Sequence, residues 1–119
     1  MTTLNLNKIM LCGRLTAAPE MKMTKDGEKL FCTFSVAVNR QYESKDGTKA
    51  DFFDCIASEK TGEVISKYFG KGDPIYVEGS VRLNSWTTEN GVKRSSCTVD
   101  VGEFRFVESK GILQAMNEY

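Results

Sequence analysis

Apolar side chains recur along this chain with a period of two in five stretches and with helical spacing in one. The clearest alternation runs from Ile75 to Trp86. Ile75, Val77, Val81 and Leu83 fall on one side, with Gly79 and Ser85 in the same phase. Tyr76, Glu78, Ser80, Arg82, Asn84 and Trp86 fall on the other. Alternate side chains of a strand point to opposite faces, so the pattern predicts a half-buried strand with its first set on a core. The polar side then carries the only tryptophan, with Arg82 four residues earlier on the same face. A flat aromatic beside a guanidinium suits stacking on a nucleobase. It equally suits a strand end that covers the rim of a core or enters a subunit contact, and this stretch alone leaves both open.

The other elements follow from the same counting. Asn7 to Leu15 predicts a first strand, with Ile9, Leu11 and Leu15 in one phase and Lys8 and Arg14 in the other. After the break at Ala17-Ala18-Pro19-Glu20, Met21 to Lys25 extends as a hairpin arm ending in the turn dipeptide Asp26-Gly27. Lys29 to Arg40 is a second strand with Cys32, Phe34, Val36 and Val38 inward and Phe31, Thr33 and Ser35 outward. Gln41 to Ala50 is a polar loop containing Asp46-Gly47. Asp51 to Ser58 is a third strand whose adjacent Phe52 and Phe53 must face opposite ways; periodicity does not say which is outward. Lys60 to Phe69 has helical spacing, with Thr61 as cap, a Glu63–Lys67 pair, a stripe of Val64, Ile65, Tyr68 and Phe69, and a left-handed terminus at Gly70. A turn at Asn90-Gly91 leads into a fifth strand, Lys93 to Val107, with Cys97, Val99 and Val101 inward and a bend at Gly102. Five strands with one helix between the third and fourth predict an all-β Greek-key barrel of the OB type with extended hairpin loops. Such barrels bind oligonucleotides or oligosaccharides, and the fold does not choose between them.

Composition narrows the chemistry. The chain has 119 residues, enough for one core without disulfides or metals. Sixteen Lys and Arg balance sixteen Asp and Glu, which excludes a highly basic arm but not a locally basic face. Histidine is absent, which removes Ser-His-Asp and Cys-His catalysis and every histidine-based zinc site. Asp51 and Asp54, three apart on a strand, point to opposite faces and cannot share a metal. No cofactor is expected. Cys12, Cys32, Cys55 and Cys97 stand singly, without a Cys-x-x-Cys pair, and are expected as small sheet or core residues. No apolar run approaches the roughly 20 residues of a membrane span. The start shows no signal pattern, so a cytoplasmic protein is expected.

Several blocks, in order, resemble bacterial single-stranded DNA-binding proteins. They are Asn7 to Leu15 with Pro19-Glu20, Phe34 to Arg40, Asp51 to Cys55, Tyr68 to Gly79, and Arg82 to Thr87. The resemblance covers about residues 5 to 108. It implies an OB-fold domain at 1–108, a short tail at 109–119, and a homotetramer that coats single-stranded DNA in replication, recombination and repair. It also implies stacking roles for Trp86, Phe53 and Tyr42, with Phe53 rather than Phe52 as the outward aromatic. Phe31 is an even choice between stacking and sheet packing. Phosphate contacts are expected from Arg82, Arg40 and Arg94, and from Lys22, Lys25, Lys45, Lys49 and Lys93, though each lysine taken singly suits a plain solvated surface as well. The chain departs from the family pattern at Glu59, an acid where a further aromatic is often found, and at Cys55, where some members carry a basic residue. It also ends at Asn117-Glu118-Tyr119 without the acidic tip through which the family recruits replication and repair partners. A rival reading is an OB-fold adaptor acting through protein contacts. An RNA or oligosaccharide ligand is a smaller alternative, and an enzyme the remotest.

Overall fold

A computed structural model describes residues 4–107; the tail expected at 109–119 lies outside the described residues. The elements are β1 (Ile9–Leu15), β2 (Glu20–Met23), β3 (Leu30–Asn39), β4 (Ala50–Ser58), α1 (Glu59–Tyr68), β5 (Pro74–Thr87) and β6 (Lys93–Phe106). They form one sheet in the order β1-β5-β6-β4-β3-β2, with β1 pairing back onto β3. That return closes the sheet into a ring, the expected OB barrel, with β2 as a short arm outside it. All pairings are antiparallel except β4 with β6. The closing seam is short: Arg14 opposes Ala37 and Leu15 opposes Val36. A side chain at Gly13 would start 2.2 Å from the Ala37 carbonyl oxygen, so only glycine lets β1 approach there.

The core is the set of inward positions that the alternation picks out. Leu15, Cys32, Val36, Ile75, Val77 and Val99 are buried inside the ring, and Ile65 of α1 and Phe69 just after it join the same core. The helix packs closely because Gly62 has no side chain. A Cβ there would lie 2.7 Å from the Ala57 carbonyl oxygen and 2.8 Å from the Cys32 Cβ. Gly27, Gly47 and Gly91 take positive φ in the three turns expected of the Asp-Gly and Asn-Gly dipeptides. Gly102 is the extra residue of a bulge, since Glu78 opposes Glu103 while Gly79 opposes Val101. The bulge resets the phase of β6, so that Phe104 packs against the core.

Five expectations are corrected. Leu83 and Cys97, expected in the core, oppose each other on β5 and β6 and are exposed. Each of these strands has 14 residues, about 46 Å of strand. This outruns the barrel, and past Val81 and Val99 the hairpin has water on both faces. Cys12, a sheet residue of β1 as expected, is exposed, whereas Cys32 and Cys55 are buried; all four are free thiols. The helix starts at Glu59, so Thr61 lies inside it and Ser58 takes the cap position without a side-chain hydrogen bond. Glu59 itself has φ of +32°, a left-handed conformation that strains a residue with a Cβ. At the other end Phe69 leaves in extended conformation, and the positive φ falls at Gly72, not Gly70. Of the expected stripe only Ile65 and Phe69 are buried, while Val64 and Tyr68 are exposed. Lys67 lies over the Tyr68 ring, with Nζ 5.4 Å from its centre, and forms no ion pair with Glu63. No described helix is long and apolar enough to cross a membrane.

Candidate nucleic-acid interface

One outer face of the barrel runs without interruption across β2, β3, β4, β6 and β5. The register fixes who meets whom. Lys22 opposes Phe31, and Phe31 opposes Ser58. Ser35 opposes Asp54, Asp54 opposes Thr98, and Thr98 opposes Arg82. Phe52 opposes Ala37, and Trp86 opposes Arg94 at the far end of the β5–β6 hairpin. Directly opposed residues share a face. The face therefore presents three aromatics, Phe31, Phe52 and Trp86, spread from the β2 arm to the hairpin tip. Between them lies an open groove of roughly 490 Å³ whose floor includes Ser35, Asp54, Ile56 and Thr98 and whose wall includes Lys22.

The aromatic of β4 is corrected from Phe53 to Phe52. Cys55 and Ala57 are buried, which fixes the phase of the strand. Phe53 shares that phase and packs, partly buried, against the core. Phe52 shares the outward phase with Asp54 and Ile56 and is 69% exposed. The signal was present in the sequence. Asp54 costs too much to bury unpaired, so Phe52, two residues away, must be outward with it. Asp51 obscured it by placing an equal charge in the phase of Phe53. The structure answers Asp51 with Arg40, whose Nε and Nη2 donate to its two carboxylate oxygens at 2.9 and 2.6 Å. That fork holds the Asp51 carboxyl below the usual range, chiefly through its hydrogen bond. Cys55, compared in the sequence with a basic surface position, is inside the barrel; burial first, then the charge of Asp54, pushes its thiol up to about 12. Glu59 lies beyond the end of β4, on the first turn of α1.

The remaining candidates divide by their partners. Trp86 is 51% exposed and Tyr42, in the β3–β4 loop, is 80% exposed. Arg40 is committed to Asp51, and its backbone N–H donates to the Lys49 carbonyl at 2.7 Å, so it clamps the base of that loop. Arg82 donates to Asp100 at 2.7 Å. Lys22 lies 3.9 Å from Glu20, a loose exposed pair. Lys25 in the β2–β3 turn, Lys45 and Lys49 in the β3–β4 loop, and Lys93 and Arg94 on the hairpin are exposed and make no ion pair among the described residues. Arg40 and Arg82 are thus held by acids, whereas the cations of the β2–β3 turn, the β3–β4 loop and the β5–β6 hairpin are free to meet a ligand. Asn84 lies on this face, as its phase with Arg82 and Trp86 predicts, though it was not singled out as a site residue. Its Nδ2 donates to Thr98 Oγ1 at 3.1 Å, tying β5 to β6 beside the groove.

Known proteins are similar to this chain in sequence and fold. A single-stranded DNA-binding protein of Clostridium perfringens is 38% identical over 104 residues, 87% of this chain and 67% of that protein. One of Wolinella succinogenes is 34% identical over 111 residues, 91% of this chain and 68% of that protein. A solved structure, a Plasmodium falciparum SSB complex with ssDNA, superposes with a TM-score of 0.75 at 29% identity, covering 91% of this chain and all of the other. The model of the single-strand binding protein family matches residues 6–107, nearly the whole described chain, and the chain belongs to that family.

Proposed function

We propose that the chain binds single-stranded DNA across this outer face, without base specificity strong enough to define a sequence, and that the event is binding without chemistry. The observation that carries the proposal is the row of outward aromatics on one face, with unpaired cations among the described residues on the β2–β3 turn, the β3–β4 loop and the β5–β6 hairpin. Every base has a π-face, so stacking on Phe52, Trp86 and Phe31 tolerates any base, at roughly 1–3 kcal/mol each. Tyr42, exposed in the β3–β4 loop, adds a contact from outside the sheet. Lys22, Lys25, Lys45, Lys49, Lys93 and Arg94 track phosphates. Arg82 joins them when phosphate replaces Asp100, and Arg40 serves by positioning the loop. Phe53 supports the strand from beneath. The binding unit corresponds to residues 1–108, and its service is coating exposed strands during replication, recombination and repair in the bacterial cytoplasm.

The same proposal includes a homo-oligomer, of tetramer size. β1 pairs with β5 from Ile9 to Arg14 but with β3 only at Arg14 and Leu15. From Ile9 to Gly13 its second edge faces no strand among the described residues, and Met10 beside it is exposed. A free edge with an apolar neighbour is suited to pairing with a second copy.

Trp86 is the natural reporter. Titration with a deoxythymidine oligomer, at low and high salt, is expected to quench its fluorescence to saturation at a fixed nucleotide ratio. Affinity should fall as salt rises. Absence of quenching together with absence of a gel shift would reject the reading and favour an adaptor. Sedimentation equilibrium tests the oligomer; a monomer at micromolar concentration would reject it.

A further inference from the structure

The middle of the face holds a charge that a uniform phosphate-tracking surface does not explain. Asp54 is exposed in the groove between two apolar outward neighbours, Phe52 and Ile56. It faces Ser35 on β3 and Thr98 on β6. Unlike Asp51 and Asp100, it has no ion pair or side-chain hydrogen bond among the described residues. A phosphate would be repelled there, so the backbone of a bound strand runs along the cationic rim and the bases lie inward. A base stacked on Phe52 has its edge toward the next outward residue of the strand, about 6.8 Å along β4. That residue is Asp54.

An ionised carboxylate only accepts hydrogen bonds. Cytosine, adenine and guanine each offer an exocyclic amino group. Thymine has no amino group; its single edge donor, N3–H, lies between two carbonyl oxygens that an approaching carboxylate would also meet. We propose that Asp54 is a base-selecting residue: it favours bases bearing an exocyclic amino group over thymine at the position stacked on Phe52. The proposal rests on the single-stranded DNA reading above and adds a preference within it. The hydroxyls of Ser35 and Thr98 can donate or accept, so they hold the edge in place without choosing it. The repulsion between Asp54 and the phosphates is a separate effect that acts on all sequences alike and weakens with salt.

The test compares ratios. Affinities for deoxycytidine and deoxythymidine oligomers of equal length are measured for the full chain, for Asp54→Asn and for Asp54→Ala, above neutral pH, with folding checked by circular dichroism. Each ratio cancels the common electrostatic gain of removing a charge. The expected result is that both variants bind the thymidine oligomer at least as tightly as the parent. Their cytidine-to-thymidine affinity ratio should fall about fivefold or more below the parent's. Asn keeps the shape and can donate to thymine, so it guards against a packing effect of alanine. Equal ratios in all three proteins, with binding intact, would overturn the role of Asp54 and leave the binding reading standing. Failure of the parent to bind either oligomer would overturn both.

Discussion

Exchanging the two adjacent phenylalanines for alanine, one at a time, separates a binding residue from a supporting one. Phe52 is 69% exposed, so folding hides about a third of it. For an aromatic of about 200 Å² that is about 60 Å², or about 1 kcal/mol once the alanine Cβ is allowed for. Phe53 packs against the core cluster, and its truncation leaves a space beside Val36 and Cys55, at a cost of about 3 kcal/mol. Binding inverts the order. Phe52→Ala loses a stacked base, about 1–3 kcal/mol, equal to roughly 5- to 150-fold in affinity. Phe53→Ala, while folded, loses little. Urea unfolding gives the stability of each variant, and quenching of Trp86 by a deoxythymidine oligomer gives the affinity. Should Phe53→Ala lose binding at unchanged stability while Phe52→Ala binds as the parent does, the assignment of faces along β4 is refuted.

Replacing Lys93 and Arg94 together by alanine should reduce the slope of log affinity against log salt by about 1.4, or about 0.7 per phosphate contact, with the fold unchanged. An unaltered slope removes the hairpin tip from the phosphate path. Asp100→Ala frees Arg82 from its 2.7 Å partner and is expected to raise affinity severalfold at low salt, as measured by the same titration. Gly79→Ala should prevent or severely weaken folding, because its Cβ would lie 2.0 Å from the Asp100 carbonyl oxygen and force β5 from β6; a urea midpoint equal to the parent's would contradict the register. In the β3–β4 loop, hydrogen bonds from Ser44 and then Thr48 hold the Asp46 carboxyl down to about 2. A depressed carboxyl stabilises the folded loop above its unfolded value of 3.8 and loses that contribution as pH falls through about 2. The protection factor of the Thr48 amide, its exchange rate relative to the unstructured chain at the same pH, should therefore fall from about pH 4 downward, and Asp46→Asn should abolish that dependence.

Most of the barrel was legible because a closed sheet with a wet outside imposes strict alternation. Cys32, Phe34 and Val36 could face only one way, and the three turn dipeptides marked their hairpins without ambiguity. Alternation says which residues share a face, but not whether the barrel extends far enough to cover that face. Leu83 and Cys97 kept the correct phase and lost their cover because the hairpin overshoots. Phe52 and Phe53 failed for a different reason. Acids flank the pair in both phases, and the Arg40 fork that makes Asp51 tolerable on its side joins residues eleven apart in sequence. The helix boundary shifted because backbone strain at Glu59, not a side-chain cap, turns the chain out of β4. Trp86 and Arg94 were legible singly, but their opposition across the hairpin is a fact of register alone.

The seam between β1 and β3 also has a mechanical meaning. It is held by two residue pairs, whereas nine join β3 to β4 and thirteen join β5 to β6. Tension in a strand anchored at both the β2 arm and the hairpin tip pulls across the ring like a load on a split washer. The ring yields at its short joints, this seam and the three-pair junction of β4 with β6, while the long β3–β4 and β5–β6 ladders carrying Phe52 and Trp86 remain stiff. The barrel can therefore flex to follow a curved or shifting strand, its Phe52 ladder and its Trp86 ladder each moving as one stiff half.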